Sequence, residues 1–379
     1  MVEEGKKKPM KKDLAMVNPV VNREDVEEVV IDKTLRPHTM KEVIGREKVK
    51  ERLGILLAAA KKRKEPVDHV LFYGPPGLGK TMFANVIANE IGRRIYITSG
   101  PAIGSKGDLA SLLTGLEEMD VLFIDEIHRL RREVEEFLYP ALEEYRLDLT
   151  IGKGPSAKVI RLDLAPFTLI GATTRVGLLS GPLRDRFGMV QRLDFYNENE
   201  LIEIVERAAK MLKLKLDPAA ARIIACRSRG TARVALRLLR RARDYAEVYG
   251  ERDANEVKKL WGKVKKPEKK RDAREKDVAV TVKGLENRTI TAEIAQKAMD
   301  LDDIDVLGLD PLGREILAVL IKHFKGGPVG IETLAAAVSE EVDTLTDVYE
   351  PFLLKSGLLK RTPRGRVATE RAYKHLGLL

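Results

Sequence analysis

The chain has 379 residues, a formal net charge of +10 and a pI near 9.4, and 44% of its residues are hydrophobic. At about 150 residues per domain, this length predicts two or three domains with ordinary globular cores. The single cysteine, Cys226, excludes an internal disulfide framework, and we find neither an apolar run of about 18 residues nor the apolar core of a secretory signal. We therefore expect a cytoplasmic protein, and the positive charge favours a polyanionic partner such as nucleic acid over a merely basic surface.

The first half of the chain alternates between short apolar runs and helical patterns. Helices are expected from Val43 onward and again from Thr81 to Ile91. Strands are predicted at residues 68–73, 94–98, 120–124 and 167–171. This alternation predicts an α/β fold with a parallel sheet covered by helices on both faces. Two alternating runs that flank Gly152 to Pro155 predict a hairpin over Leu147–Leu164.

The patterning then divides the chain into four regions. They are a mobile tail at 1–22, a large α/β domain at 23–197, a small helical domain at 198–302 and a C-terminal domain at 303–379. No strand is expected directly after Asn197, where several helices follow one another. A charged insertion at 251–288 interrupts the helical domain, with thirteen Lys/Arg against eight Asp/Glu, and a solvated loop is favoured there over an additional DNA contact.

The C-terminal region has the pattern of a winged helix. Residues 314–324, 331–338 and 342–355 are predicted as three helices, and a basic turn at Lys360–Arg366 joins two short runs. Residues 339–350 contain five acids and no base, whereas residues 355–374 contain seven bases and one acid. A helix that enters the major groove is seldom so acidic, so we expect the basic turn to meet the duplex through phosphate contacts. A solvated basic turn is the alternative.

The stretch GPPGLGKT, Gly74–Thr81, fits the pattern G-x-x-x-x-G-K-[ST] and lies between a predicted strand and a predicted helix. Gly77 and Gly79 let backbone N–H groups close around phosphates. Lys80 places a positive charge on the terminal phosphates, and the Thr81 hydroxyl suits Mg²⁺. This combination predicts a nucleoside triphosphate site.

The run VLFIDEIH, Val121–His128, is an apolar strand that ends in two carboxylates. Asp125 can hold the Mg²⁺ shell, and Glu126 can orient and deprotonate an attacking water. His128 is expected to pack or to donate a hydrogen bond rather than to catalyse. The carboxylates therefore predict hydrolysis at the phosphate loop.

Two further stretches contain candidate catalytic groups. IGATTR, Ile170–Arg175, ends a strand with two hydroxyls, of which Thr174 is preferred over Thr173 for positioning the water. PLRDRFG, Pro182–Gly188, contains two arginines, and one of them could stabilise transition-state charge in a neighbouring subunit's site. A strand-capping hydroxyl and a solvated arginine pair are the alternatives.

Together these motifs resemble the AAA+ ATPases and, more closely, the RuvB family of bacterial Holliday-junction branch-migration ATPases. The matching stretches are LRPHTMKEVIG (35–45), GPPGLGKT (74–81), LFIDEIHRL (122–130), LIGATTR (169–175), PLRDRFGMVQRLDFY (182–196), RGTARVALRLLRRARDYAEV (229–248), FKGGPVGIETLAAAV (324–338) and RTPRGRVAT (361–369). The nucleotide motifs specify only the superfamily, whereas GATTR, RDRFG and RTPRGR in this order are far more selective.

The resemblance implies an AAA+ P-loop domain, an all-α lid and a winged-helix DNA-binding domain, with ATP and Mg²⁺ as cofactors. The implied catalytic residues are Lys80, Asp125, Glu126, Thr174 as the first sensor and Arg186 as the finger that acts in a neighbouring subunit. The implied nucleotide-binding residues are Leu35, Arg36, Gly77, Gly79, Lys80, Thr81, Met82, Tyr196 and Arg233, the last as the second sensor. Thr81 and Asp125 would hold Mg²⁺, and the wing residues Arg361, Arg364 and Arg366 would contact DNA.

The resemblance also implies partners. These are double-stranded DNA at four-way junctions, a RuvA-like junction-binding protein at the 147–164 hairpin, and copies of the chain itself in a ring expected to be hexameric, with no membrane. The implied function is ATP-driven branch migration in recombination and repair. A clamp-loader-like ATPase of DNA replication, or a DNA-binding regulator with a nucleotide switch, is the alternative.

Three features depart from the family pattern. Ala232 stands where proline is usual, and Val342 stands where arginine is frequent, so one DNA contact is expected to be absent. The insertion at 251–288 has no counterpart in that pattern.

Overall fold

The computed structural model describes residues 35–151, 158–249 and 289–379. The chain divides into two compact units, residues 1–36 and 37–379. Of the first unit only Leu35, which is buried, and Arg36, which is half-buried, are described. The expected tail at 1–22, the insertion at 251–288 and the tip of the hairpin at 152–157 lie outside the described residues.

The strands and helices of the described residues follow one another in a simple order. The strands are β1 (Val70–Tyr73), β2 (Ile95–Ser99), β3 (Val121–Asp125), β4 (Arg146–Ile151), β5 (Lys158–Asp163), β6 (Thr168–Thr173), β7 (Met189–Arg192), β8 (Lys215–Leu216), β9 (Thr289–Ile290), β10 (Leu359–Thr362) and β11 (Gly365–Ala368). The helices are α1 (Glu47–Arg63), α2 (Lys80–Ile91), α3 (Lys106–Thr114), α4 (Arg132–Glu144), α5 (Gly181–Asp185), α6 (Glu198–Met211), α7 (Pro218–Cys226), α8 (Ala232–Tyr249), α9 (Ala292–Leu301), α10 (Pro311–Lys322), α11 (Ile331–Ala337), α12 (Val342–Thr344), α13 (Glu350–Lys355) and α14 (Glu370–His375), with a π-helical stretch, Leu345–Tyr349, between α12 and α13. None of these helices combines the length and apolar character that a membrane span requires.

The central sheet has five strands in the order β2-β3-β6-β1-β7, and every neighbouring pair is parallel. β1, β3 and β6 are almost wholly buried because helices cover both faces of the sheet. Phe72 of β1 stacks on Phe83 of α2 with ring centroids 5.5 Å apart. The predicted α/β fold class is confirmed.

Two strand predictions were incomplete. β7 was not predicted, because Val190 and Arg192 are exposed at the sheet edge and only Gln191 is buried, so the strand has no apolar run. The expectation of no strand after Asn197 is wrong at β8, which forms a two-residue parallel pair with β9. The predicted hairpin is present as the antiparallel pair β4 and β5.

The lid consists of α6 to α9, and Asn197 and Glu200 close a capping box at the start of α6. The winged-helix domain consists of α10 to α14 with the hairpin β10 and β11, packed around Leu320, Leu353 and Leu359. The predicted basic turn at Lys360–Arg366 is wrong in extent, because most of it forms the two strands.

A buried histidine joins three parts of the large domain. His69, directly before β1, accepts a hydrogen bond at Nδ1 from the Leu169 N–H at 2.9 Å, and its Nε2 lies 3.1 Å from Leu142 O. A carbonyl only accepts hydrogen bonds, so Nε2 is the protonated nitrogen of a neutral ring. Burial lowers the pKa of His69 below its ordinary value.

This burial predicts a loss of stability in mild acid. The unfolded chain protonates His69 near pH 6.5 and the folded chain resists protonation, so the free energy of unfolding falls as the pH drops below about 6.5, by up to about 1.4 kcal/mol per pH unit from this residue. We expect His69→Gln to be less stable than wild type at pH 7.5. Its free energy of unfolding, measured with denaturant, should fall less than that of wild type between pH 6.5 and 5.5. His323→Gln, at an exposed histidine, is the control. Equal declines in wild type and His69→Gln would contradict the assignment.

Candidate functional site

The loop between β1 and α2 has a backbone that only glycine adopts easily. Gly77 and Gly79 have φ of +77° and +95°, in the left-handed region. A Cβ on Gly77 would lie 3.1 Å from the Cβ of Arg233, and one on Gly79 would lie 3.2 Å from the Met82 side chain. Side chains at these two positions would therefore strain the backbone and fill the cradle.

Lys80 begins α2 and is buried, with 8% of its surface exposed. Its Nζ donates to Gly74 O at 2.8 Å and to Pro75 O at 3.1 Å. Burial lowers the pKa of Lys80, and Asp125 and Glu126 oppose that shift. The ammonium group thus points into the loop, where phosphate oxygens can replace the two carbonyls.

The two carboxylates follow β3, which lies next to β6 in the sheet. Asp125 Oδ1 accepts a hydrogen bond from the Glu126 N–H at 3.0 Å, and Glu126 turns away from the strand with φ of +47°. Burial raises the pKa of Glu126, Asp125 adds to the rise, and Lys80 opposes it. A carboxylate with a raised pKa is a better proton acceptor, as a general base requires.

The end of β6 brings hydroxyl groups to the same edge of the sheet. Thr173 is fully buried, with Oγ1 2.9 Å from His128 Nδ1 and accepting from the Arg175 N–H at 3.0 Å. Thr174 Oγ1 donates instead to Glu126 Oε2 at 3.4 Å. This arrangement favours Thr174 over Thr173 as the residue that faces the phosphate site.

His128 contacts the carboxylate as well. Its Nδ1 lies 3.2 Å from Glu126 Oε2, and burial lowers the pKa of the ring, with Arg175 acting in the same direction. The neutral imidazole is therefore the dominant form at neutral pH. The hydrogen bond of His128 to Thr173 agrees with its predicted hydrogen-bonding role.

The residues at this edge fit a magnesium ion that is shared with phosphate oxygens. Thr81 follows Lys80 at the start of α2, and Asp125 lies close enough to raise the pKa of Lys80. Among the described residues, no group of three or more His, Cys, Asp or Glu could hold a metal by itself. One carboxylate and one hydroxyl suit Mg²⁺, which keeps waters and binds substrate phosphates.

The lid contributes to the phosphate loop from the other side. Arg233, at the second position of α8, lies beside Gly77 and lowers the pKa of Lys80 through its charge. The Tyr196 hydroxyl would be 3.7 Å from a Cβ on Gly79, and the Tyr196 N–H donates to Gly230 O at 2.9 Å. Both residues therefore lie where the loop, the sheet and the lid meet.

Arg46 is a residue of this site that the sequence did not single out. Its Nη2 donates to Leu78 O at 3.1 Å and to Asp194 O at 2.7 Å, and its guanidinium carbon lies 4.1 Å from the centre of the Tyr196 ring. The two acceptors are 32 and 148 residues away in sequence, so no local pattern indicates them. Arg46 fixes the phosphate loop relative to Tyr196.

Arg186 lies elsewhere in the large domain. Its guanidinium carbon is 4.2 Å from the centre of the Tyr139 ring, and it pairs with Glu143 at 3.0 Å and donates to Pro182 O at 2.7 Å. The structure thus places Arg186 against α4 rather than beside Lys80 of its own chain. A residue that acts in a neighbouring subunit requires such a position.

The three wing arginines have different environments. Arg361 and Arg364 are exposed. Arg366 is buried and makes two hydrogen bonds to Glu350, at 2.8 and 3.0 Å. A guanidinium held in this way supports the domain core, so Arg366 is not exposed for the phosphate contact that the resemblance implies.

Three family models match the chain, one after another. They are the Holliday junction DNA helicase RuvB P-loop domain at residues 35–193, the RuvB AAA lid domain at 196–259 and the RuvB C-terminal winged helix domain at 306–377. The three models match, in turn, the domain with the parallel sheet, the helical lid and the winged-helix domain.

Individual relatives match over nearly the whole length. The Holliday junction branch migration complex subunit RuvB of Clostridium kluyveri is 52% identical over 360 residues, which cover 95% of this chain and 92% of that protein. The subunit of the same name from Chloroflexus aggregans is 52% identical over 363 residues, covering 96% and 93%. The solved Thermotoga maritima RuvB Holliday junction branch migration motor is 45% identical with a TM-score of 0.76, covering 91% of this chain and 99% of that one.

The position of Arg46 predicts a nucleotide-binding defect. In Arg46→Ala the loop loses its tie to Asp194 and Tyr196, so we expect about tenfold weaker binding of a fluorescent ADP analogue, equivalent to about 1.4 kcal/mol. Arg46→Lys should recover only part of the affinity, because one ammonium group cannot reproduce the fork and the ring stacking. Lys48→Ala, at an exposed neighbouring position, is the control. Wild-type affinity in Arg46→Ala would show that the loop is held without it.

Proposed function

The chain belongs to the RuvB family of Holliday junction DNA helicases, and from this premise we propose that it is the ATP-hydrolysing motor that drives branch migration of four-way DNA junctions in recombination and repair. The observation that supports this most strongly is the match of the P-loop, lid and winged-helix models in order along one chain. The lid and winged-helix matches decide against the clamp-loader alternative.

ATP is the proposed substrate, bound at the edge of the sheet. Lys80 would exchange its two carbonyl partners for oxygens of the terminal phosphates, and the helix N-terminus of α2 adds favourable partial charge. Mg²⁺, held by Thr81 and Asp125, would neutralise phosphate charge. The raised pKa of Glu126 and its hydrogen bond from Thr174 support a role for Glu126 in orienting and deprotonating the attacking water.

The remaining nucleotide contacts are proposed from the family motif and from the position of the lid. Arg233 and Tyr196 would contact the bound nucleotide and so couple it to the lid, since both lie beside the glycines of the loop. Leu35 and Arg36 would line the adenine pocket, as the matching motif implies.

Arg186 is the proposed finger that completes a neighbouring subunit's site. Its guanidinium group lies against Tyr139 and Glu143 at a partly exposed position, where a second copy of the chain can reach it. A head-to-tail contact of this kind repeats and closes into a ring when the rotation permits, and six copies are proposed here.

DNA would be held by the wing. Arg361 and Arg364 are exposed on and beside β10, and Lys360 is exposed next to them. Contacts to phosphates without base readout give sequence-independent binding, which a translocating motor needs. The hairpin of β4 and β5 is the proposed docking element for a RuvA-like junction-binding protein.

Dissociation of a synthetic four-way junction tests this function. With ATP and Mg²⁺ at low salt, and with the junction-binding partner added, wild-type protein should split the junction into duplex arms. Lys80→Ala and Arg186→Ala should each be inactive, the first in binding phosphates and the second in hydrolysis. A mixture of the two should recover part of the activity, because some interfaces then pair an intact loop with an intact arginine.

Arg132→Ala, which replaces an exposed arginine of the same domain, is the matched control for Arg186→Ala and should retain activity. An inactive wild type that still hydrolyses ATP in the presence of the partner would contradict the branch-migration function. Normal turnover of Arg186→Ala alone would contradict the role of that arginine in a neighbouring subunit.

A further inference from the structure

The acidic stretch of the winged-helix domain lies against the end of β6 in the large domain. Arg175 Nη2 is 2.8 Å from Asp343 Oδ1, and Arg175 Nε is 2.8 Å from Asp347 Oδ1. The hydrogen bonds that Arg175 donates, first to Asp347 and then to Asp343, raise the pKa of Arg175, and the bond to Asp343 lowers the pKa of that carboxyl. Three of the five acids in this stretch therefore have an intramolecular partner, because Glu350 pairs with Arg366.

Asp347 also reaches the phosphate site. The Thr174 hydroxyl lies between two carboxylates, with Oγ1 3.4 Å from Glu126 Oε2 and 3.5 Å from Asp347 Oδ2. The charge of Asp347 opposes the burial that lowers the pKa of Lys80 and adds to the burial that raises the pKa of Glu126. A terminal phosphate that contacts Lys80 and Thr174 would bring negative charge next to Asp347, at a partly buried place where repulsion is weakly screened.

The winged-helix domain also contacts the lid, through an arginine that is more deeply buried than Arg175. Arg229 is 7% exposed, donates through Nε to Gly308 O at 2.7 Å and pairs with Asp310. The Tyr349 hydroxyl donates to Asp310 Oδ2 at 3.1 Å. In contrast, the Asp343 side chain is 61% exposed, so the contact with the large domain is open to solvent. The winged-helix domain thus has a buried contact with the lid and a more exposed contact with Arg175, besides the hydrogen bond from Lys355 Nζ to Tyr196 O at 3.3 Å.

We propose that Arg175, Asp343 and Asp347 form a latch that holds the winged-helix domain against the large domain, and that the terminal phosphate of ATP opens it. This inference rests on the proposed ATP site. Binding of phosphate at Lys80 and Thr174 displaces Asp347 by repulsion, and Arg175 is then free to turn toward the phosphate. ATP binding would thereby change the position of the DNA-binding wing relative to the ATPase site.

Linkage makes the latch measurable in two ways. If ATP must open the latch, the closed latch lowers the affinity for ATP by some factor. Removing the latch should raise the affinity by that same factor. We expect Asp343→Asn combined with Asp347→Asn to bind a fluorescent ATPγS analogue about tenfold more tightly than wild type. Asp343→Glu with Asp347→Glu keeps the charges and should remain close to wild type.

Electron spin resonance distances give the second measurement. In a Cys226→Ser background, spin labels at Glu51→Cys and Glu332→Cys, both exposed positions, report the separation of the two domains. The labelled full-length chain is diluted into excess unlabelled protein, so that only distances within one chain are recorded. ATPγS should shift the wild-type distance distribution, and the double Asn variant should show the shifted distribution without nucleotide.

Glu340→Gln with Glu341→Gln, at exposed acids of the same stretch, is the matched control and should behave as wild type in both measurements. A wild-type distribution unchanged by bound ATPγS would overturn the latch, as would a double Asn variant with wild-type affinity and distances. Failure of wild type to bind ATPγS more tightly than Lys80→Ala would instead refute the nucleotide site.

Discussion

The parallel direction of all five central strands is the constraint on which the rest of the structure depends. Because β1, β3 and β6 are neighbours and run the same way, their carboxyl ends lie at one edge of the sheet. The glycine-rich loop, the pair Asp125 and Glu126, and the hydroxyl of Thr174 therefore meet there, although they are far apart in sequence. Burial at this edge lowers the pKa of Lys80 and raises that of Glu126.

Three arginines join different parts of the molecule, and they differ in how exposed their contacts are. Arg46 ties the phosphate loop to Tyr196, and buried Arg229 joins the lid to the winged-helix domain. Arg175 joins the large domain to the same winged-helix domain through partly exposed carboxylates. A motor needs both kinds of connection, since a firm contact transmits displacement and a weak one allows it. Polar surface contacts are well suited to the second task because solvent can replace them.

Local sequence was sufficient for those parts of the fold whose signals are local. The apolar runs at β1, β3 and β6 and the glycine spacing of Gly74–Thr81 predicted the sheet and the loop, and the fold class is confirmed. Strand β7 has no such signal because its exposed side chains alternate with Gln191. The burial of Arg366 depends on Glu350, sixteen residues away, and basic composition alone could not distinguish it from exposed Arg361. Local sequence could not predict that the acidic stretch pairs with Arg175, because Arg175 lies in another domain.

Glu126, at this edge of the sheet, is the residue proposed to activate the water that attacks ATP. Single-turnover hydrolysis by Glu126→Gln, measured together with the binding of a fluorescent ATP analogue, tests it most directly, with Glu118→Gln at an exposed position as the control. We expect binding to change by no more than about twofold while hydrolysis slows by at least about a hundredfold. Hydrolysis at the wild-type rate in Glu126→Gln, with binding intact, would contradict it.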